Sequence, residues 1–335
     1  MLGKGEIEQA GRMAGVLWRF WGASSQLSTG SHWIEQVLAY SGTLSGHTQA
    51  KVAQGAGRLL FLQNHFTEAA QYLQSSMALY VQSGDRHGQA TIGMNLGEIA
   101  LDQGENQAAE EYFRNSLLLY ETFGDQAGVA RCLDQLGRVA IREKNLARAE
   151  WFFQQSLDLT RQYGSAESMA MVMNDLAEVL RTRGNYNEAT ALYHESLTLY
   201  RELGFDVGVA VILHNLGQIA RKTGNYSEAL QAFREAFRLL QDLEEKQIIA
   251  ECFAGLGSVF LEMGNVELAT RYLSTSKALS DAAGIPLDFP DQVEYEQTLN
   301  LARAQLSETI WNALWLEGQS MPVEQMIAEA LTGWG

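Results

Sequence analysis

A chain of 335 residues with 46% apolar residues and a net charge of −16 is longer than one ordinary globular domain and strongly acidic. The acidity argues against nucleic-acid binding through a basic, phosphate-neutralising surface, and no segment approaches 18 uncharged apolar residues, so no membrane span is expected. The opening Met1-Leu2-Gly3-Lys4-Gly5-Glu6 lacks the apolar run of a signal peptide, so a cytoplasmic protein is expected.

In chain order, residues 6–43 form a weak helical pair containing Trp18, Phe20 and Trp21, with Trp33 and Tyr40 in the places that Leu73 and Tyr80 hold one unit later. From there a 40-residue period governs the sequence. Gly57, Gly97, Gly137, Gly217 and Gly257 recur at this spacing, with Ala177 in the missing slot. Twelve positions after each stands an alanine, from Ala69 to Ala269, and four further on a large apolar residue such as Phe113, Phe153 or Phe233. In residues 85–124 one helical rhythm runs through Ala90, Ile92, Leu96, Ile99 and Ala100, and a second through Ala109, Tyr112, Phe113, Leu117 and Tyr120. Glycines at the breaks suit the left-handed residue that closes a helix. Lys144 replaces one turn glycine, and Glu244-Glu245 replaces a glycine junction. All three prolines, Pro286, Pro290 and Pro322, lie beyond this region, in a tail whose apolar spacing predicts helices near 293–306, 310–315 and 321–331.

A fixed period of this length marks a solenoid, in which each unit buries its apolar face against its neighbours. The Leu-Gly on one helix and Ala-x3-Phe on the next, as in Leu96-Gly97 with Ala109 and Phe113, resemble the tetratricopeptide repeat. The resemblance implies an all-α, right-handed superhelical array: seven helical hairpins over 6–284, the first degenerate, and C-terminal capping helices over 285–335. The glycine would admit the second helix closely, the alanine would mark the crossing, and the aromatic would fill the gap between units. The two ends, Leu17-Trp18-Arg19-Phe20-Trp21 and Trp315-Leu316-Glu317-Gly318-Gln319-Ser320, resemble the repeat region of bacterial STAND-class, LuxR-type (MalT-like) transcriptional regulators. No Gly-x4-Gly-Lys-Ser/Thr motif accompanies them. A sensor or scaffold segment of such a regulator is what that second resemblance implies.

Signs of chemistry are sparse. The six histidines form no His-x3-His pair and no Cys/His cluster. Cys132 and Cys252 stand three periods apart, at a place held elsewhere by Val52, Ile92, Val172 and Ile212, so both read as buried core residues. No catalytic residue, metal or cofactor is expected.

The tetratricopeptide resemblance also implies that first helices line a concave groove through positions −6, −3, +1, +4 and +5 relative to each period glycine. In the central units these give Arg131, Asp134, Arg138 and Arg142; Asn174, Glu178 and Arg181; His214, Arg221 and Lys222. Six of these are basic and two acidic, against the sign of the whole chain. A basic belt in a groove focuses potential on an acidic ligand, here a protein or peptide segment held in extended form. The alternative is that these arginines pair with neighbouring carboxylates. Asn95 and Asn215 precede Leu-Gly, where the family's peptide binders use asparagine to grip a peptide backbone, although Gln135 and Asp175 interrupt the row; a role within the helix pair is equally consistent. Trp18, Trp21 and Trp33 at one end, and Trp311 and Trp315 at the other, leave open a rival reading as a homodimer or larger assembly joined through terminal surfaces.

Overall fold

A computed structural model describes residues 4–24, 26–241, 243, 245–284, 287 and 291–332. Among the described residues there are seventeen α-helices and no strand. The chain divides into two compact units, Met1–Gly164 and Ser165–Gly335. The first holds α1 (Lys4–Ala23), α2 (Leu27–Leu38), a 3-10 turn (Ser41–Thr43), α3 (Gly46–Leu62), α4 (Phe66–Ser83), α5 (Arg86–Asp102), α6 (Asn106–Phe123), α7 (Gln126–Arg142) and α8 (Leu146–Tyr163). The second holds α9 (Ala166–Thr182), α10 (Tyr186–Leu203), α11 (Asp206–Lys222), α12 (Tyr226–Leu240), α13 (Lys246–Glu262), α14 (Val266–Ala283), α15 (Asp291–Arg303), α16 (Glu308–Ser320) and α17 (Val323–Thr332). Within each unit every regular pair packs its two helices together, and each second helix packs on the next first helix.

The period residues make these contacts. Ala109, Ala149, Ala189 and Ala229 are fully buried, as are Phe113, Phe153, Tyr193 and Phe233. A Cβ added to Gly137 would lie 2.6 Å from the Phe153 ring. The crossing therefore has no room for growth. Ala149→Leu overpacks it and lowers stability by about 1–3 kcal/mol, whereas Gln155→Leu, at an exposed place on the same helix, leaves the urea midpoint nearly unchanged.

A second periodic device joins successive pairs. The rings of Tyr80, Tyr120 and Tyr200 lie against Gly88, Gly128 and Gly208, and a Cβ at Gly88 would stand 2.5 Å from the Tyr80 ring. Where the aromatic is absent the glycine is absent too, as in Leu240 with Ile248. Buried Ser76, Ser156 and Ser196 each donate to a carbonyl 26 residues earlier, Ala50, Ala130 and Ala170, at 2.8 Å.

The first pair departs from the expected frame. Trp33 and Tyr40 are about half exposed, and Ile34 takes the buried place. Thr48 stands where the joints with a buried tyrosine have glycine, and it donates to Glu8 at 2.6 Å. Two turn expectations also meet exceptions. Lys144 adopts the left-handed conformation itself, with φ 59°. Gly164 is extended, at φ −89° and ψ 176°, and the next helix opens with a Ser165–Ser168 capping box. Of the Glu244-Glu245 junction, Glu244 lies outside the described residues, as do Ile285, Pro286 and Pro290.

The tail helices belong to the second unit. α15 packs on α13 and α14, α16 on α14, and α17 on α12. Ala250, Ala254 and Leu273 share a core with Leu287, Tyr295, Ala302 and Trp311. Trp311 is buried in that core, and Trp315, half-buried, stacks on it with ring centroids 5.1 Å apart. Arg271 holds Glu329 with two bonds of 2.7 and 2.8 Å. Cys132 and Cys252 are buried and free, as the period implies. Burial pushes the Cys132 thiol up to about 12 and the Cys252 thiol well above its ordinary value. Neither reacts with a disulfide reagent in the native protein, and both react once urea unfolds it; labelling of either thiol without denaturant contradicts this packing.

Candidate functional site: an acidic helix on the first-helix face of the second unit

Several first-helix residues expected to line a groove, Arg181 on α9 and His214, Arg221 and Lys222 on α11, meet the chain's own helix α15. Arg181 Nη2 donates to Asp291 Oδ1 at 3.2 Å, and His214 Nε2 donates to Asp291 Oδ2 at 2.8 Å. One turn on, Glu294 accepts from Arg221 and lies 2.8 Å from Lys222 Nζ. Arg221 also donates to Glu262 on α13 at 2.5 Å. One further turn brings Thr298 to Ser258, the two hydroxyls 3.1 Å apart. Asp291, Glu294, Tyr295, Thr298 and Ala302 follow the i, i+3, i+4, i+7, i+11 spacing of one helix face. That face is polar towards its N-terminal end and apolar towards Ala302.

These contacts change the reading of the basic belt. Arg181, His214 and Arg221 are not open to solvent; their side chains are 5%, 3% and 4% exposed, and each meets a carboxylate. Arg181, expected as an open groove residue, lies under α15. Burial alone would raise the Asp291 carboxyl. The Arg181 guanidinium and the hydrogen bond from His214 outweigh that effect and hold it well below the usual carboxylate range. The ionised carboxylate fixes His214 Nε2 as a donor, and Nδ1 finds no hydrogen-bond partner among the described residues.

In the first unit the same positions carry opposed charges. Arg58 on α3 pairs with Glu98 on α5, one period later. On α7, Arg138 lies 3.4 Å from Asp134, four residues earlier. Asp102 on α5 is raised above the ordinary carboxylate value, chiefly by burial and against the pull of Arg142. Arg142 is exposed, and Arg131, at the −6 position, lies over the Tyr120 ring at 5.6 Å rather than beside the other belt residues. The first unit thus brings Asp134 and Arg138 together, with Arg142 close enough to act on Asp102. The second gathers Arg181, His214, Arg221 and Lys222.

The asparagines join a polar relay. Asn215 donates to Asn174 at 3.2 Å, and Asn174 donates to Asp175 at 3.1 Å. Asn95 is buried, and its Nδ2 has no hydrogen-bond partner among the described residues. The residues that sequence reading missed are Asp291, Glu294, Thr298 and Ser258. A signal existed: an Asp-x2-Glu-x3-Thr spacing in the tail, opposite in charge to the belt, although nothing in the sequence says which face a capping helix covers.

Helix pairs with a glycine–aromatic crossing and an inward row of polar first-helix residues define the tetratricopeptide class of repeat. The tetratricopeptide repeat family model matches residues 88–162 and 168–242, so both segments carry such repeats. No curated protein matches the chain. Among solved structures, the chain is similar to the apo form of the quorum sensor NprR from B. thuringiensis, with a TM-score of 0.68 at 12% identity, covering 95% of this chain and 86% of that one. It is similar to a Rap protein complexed with Competence and Sporulation Factor, with a TM-score of 0.67 at 14% identity and the same coverages, 95% and 86%. NprR in complex with its cognate peptide NprX gives a TM-score of 0.59 at 12% identity, covering 88% of each chain. At such identities these are likenesses of fold.

Proposed function

We propose that this chain is a non-catalytic protein- or peptide-binding module, the sensor or scaffold region of a bacterial signalling or transcription regulator, and that its first-helix faces receive an acidic segment. The observation that carries this reading is the occupancy of the face of α9, α11 and α13, where Arg181, His214, Arg221 and Lys222 take the carboxylates of a helix. The fold likeness to a Rap protein complexed with Competence and Sporulation Factor and to NprR in complex with its cognate peptide supports it. No group of His, Cys, Asp and Glu that could hold a metal occurs among the described residues, and no described helix is long and apolar enough to cross a membrane.

The test uses the first unit, because reversing Arg181 would break a buried pair. Arg138→Glu with Arg142→Glu adds two negative charges to a face where Arg138 is 37% exposed and Arg142 is exposed. Affinity capture from source-cell lysate retains fewer acidic partners on this double variant than on the wild type, and added salt weakens wild-type capture. Identical, salt-insensitive partner sets for both proteins contradict the reading.

One observation favours a second reading, self-assembly. Met13, Val16, Leu17 and Phe20 form an exposed stripe on α1, at 62%, 54%, 36% and 58% exposure. A dimer that persists in high salt and is lost on Phe20→Glu, measured by sedimentation, would establish it.

A further inference from the structure

The polar half of α15 has features that a permanent cap does not require. A cap needs apolar cover, and Tyr295, Ala302 and Trp311 supply it. Asp291, Glu294 and Thr298 instead place two carboxylates and a hydroxyl on a row of groove positions, at the spacing of one helix face. The fit is incomplete: His214, 2% exposed, keeps Nδ1 without a partner among the described residues, and an unpaired buried polar atom disfavours the closed arrangement. Release of α15 at Glu294 would not strand Arg221, because Glu262 on α13 still accepts from it.

We propose that the first half of α15 is a built-in ligand. The face of α9, α11 and α13 is a docking site for an acidic helix with carboxylates at i and i+3, an aromatic at i+4 in the place of Tyr295 and a hydroxyl at i+7, and a partner segment of that chemistry takes the place of residues 291–298 while Ala302 and Trp311 keep the tail anchored. This rests on the reading of the first-helix faces as binding surfaces, and it replaces the extended ligand with a helical one in the second unit. Such docking reads a helix by its i, i+3, i+4 and i+7 side chains. The tethered helix competes at a high effective concentration, so the apparent affinity for a free segment falls by the fraction of molecules whose face is open.

The probe is a fluorescein-labelled peptide of residues 291–306, titrated into the full chain by anisotropy. In Glu294→Lys the new cation opposes Arg221 and Lys222 and loosens the resident helix. The peptide binds this variant at least tenfold more tightly than the wild type, and a peptide carrying Asn at 291 and Gln at 294 binds neither. Glu294→Gln, milder and read in the same way, gives a gain of at least threefold and serves if the lysine variant loses helicity. Equal peptide affinity for wild type and folded variants overturns the proposal and leaves α15 as a fixed cap. The lysate capture reads the first unit with the tail intact, so failure there and failure here are told apart.

Discussion

Asp291→Ala destabilises the second unit by about 3–5 kcal/mol, the cost of leaving a buried charge without its partner. Arg181 is 5% exposed and Asp291 8%, so neither is rescued by water when the other is removed. Urea unfolding followed by circular dichroism shows an earlier midpoint for the part of the signal lost from this unit, and a midpoint equal to that of the wild type contradicts the pairing. The pH dependence has a definite sign. The Asp291 carboxyl is held below its ordinary value of about 3.9, so its contribution is complete above that value and is lost as the pH falls beneath it. The difference between wild type and Asp291→Ala is therefore constant through neutrality and narrows on acidification below about pH 4.

Truncation after Gly284 has the other large effect. It removes α15, α16 and α17 together and uncovers Ala250, Ala254 and Leu273, which share a core with Tyr295, Ala302 and Trp311. Loss of each large buried apolar side chain forfeits roughly 1.5–3 kcal/mol, and Arg181, His214 and Arg221 lose the carboxylates of α15 at the same time. The shortened chain aggregates, or exchanges the amides of α13 and α14 at rates near those of an unfolded chain. If it stays monomeric with α13 and α14 protected, the tail contributes far less than its contacts imply.

The helix pairs were legible in the sequence because the same physical demand recurs at each crossing. Phe153 needs Gly137, and Phe233 needs Gly217, so the pattern repeats with the structure. The pairing of Tyr80 with Gly88 was equally periodic, and in the first pair, where Thr48 takes the glycine's place, Tyr40 stays about half exposed. The belt was legible only in part. Arg181, His214, Arg221 and Lys222 meet carboxylates of the chain itself, Asp291 and Glu294, which is the outcome that the alternative of paired arginines describes. What covers them was not legible, because α15 lies outside the repeat and its docking is set by a single contact pattern rather than a recurring one. The first-unit residues were least readable. Arg131 turns to Tyr120, and Arg138 to Asp134, through neighbours on the same and preceding helices rather than through the period.

α15 lies along the first-helix face with Thr298 against Ser258, their hydroxyl oxygens 3.1 Å apart and both side chains buried. Ser258→Cys with Thr298→Cys places two thiols at that contact, and the native Cys132 and Cys252 are buried and do not compete. Mild oxidation of the folded protein, followed by mass spectrometry of a non-reduced digest, reads the pair directly. A bridge between positions 258 and 298 within one chain, formed in the wild-type background and slowed by Glu294→Lys, is the predicted result. Two free thiols at those positions, both open to labelling in the native protein, would show that the acidic helix does not occupy this face.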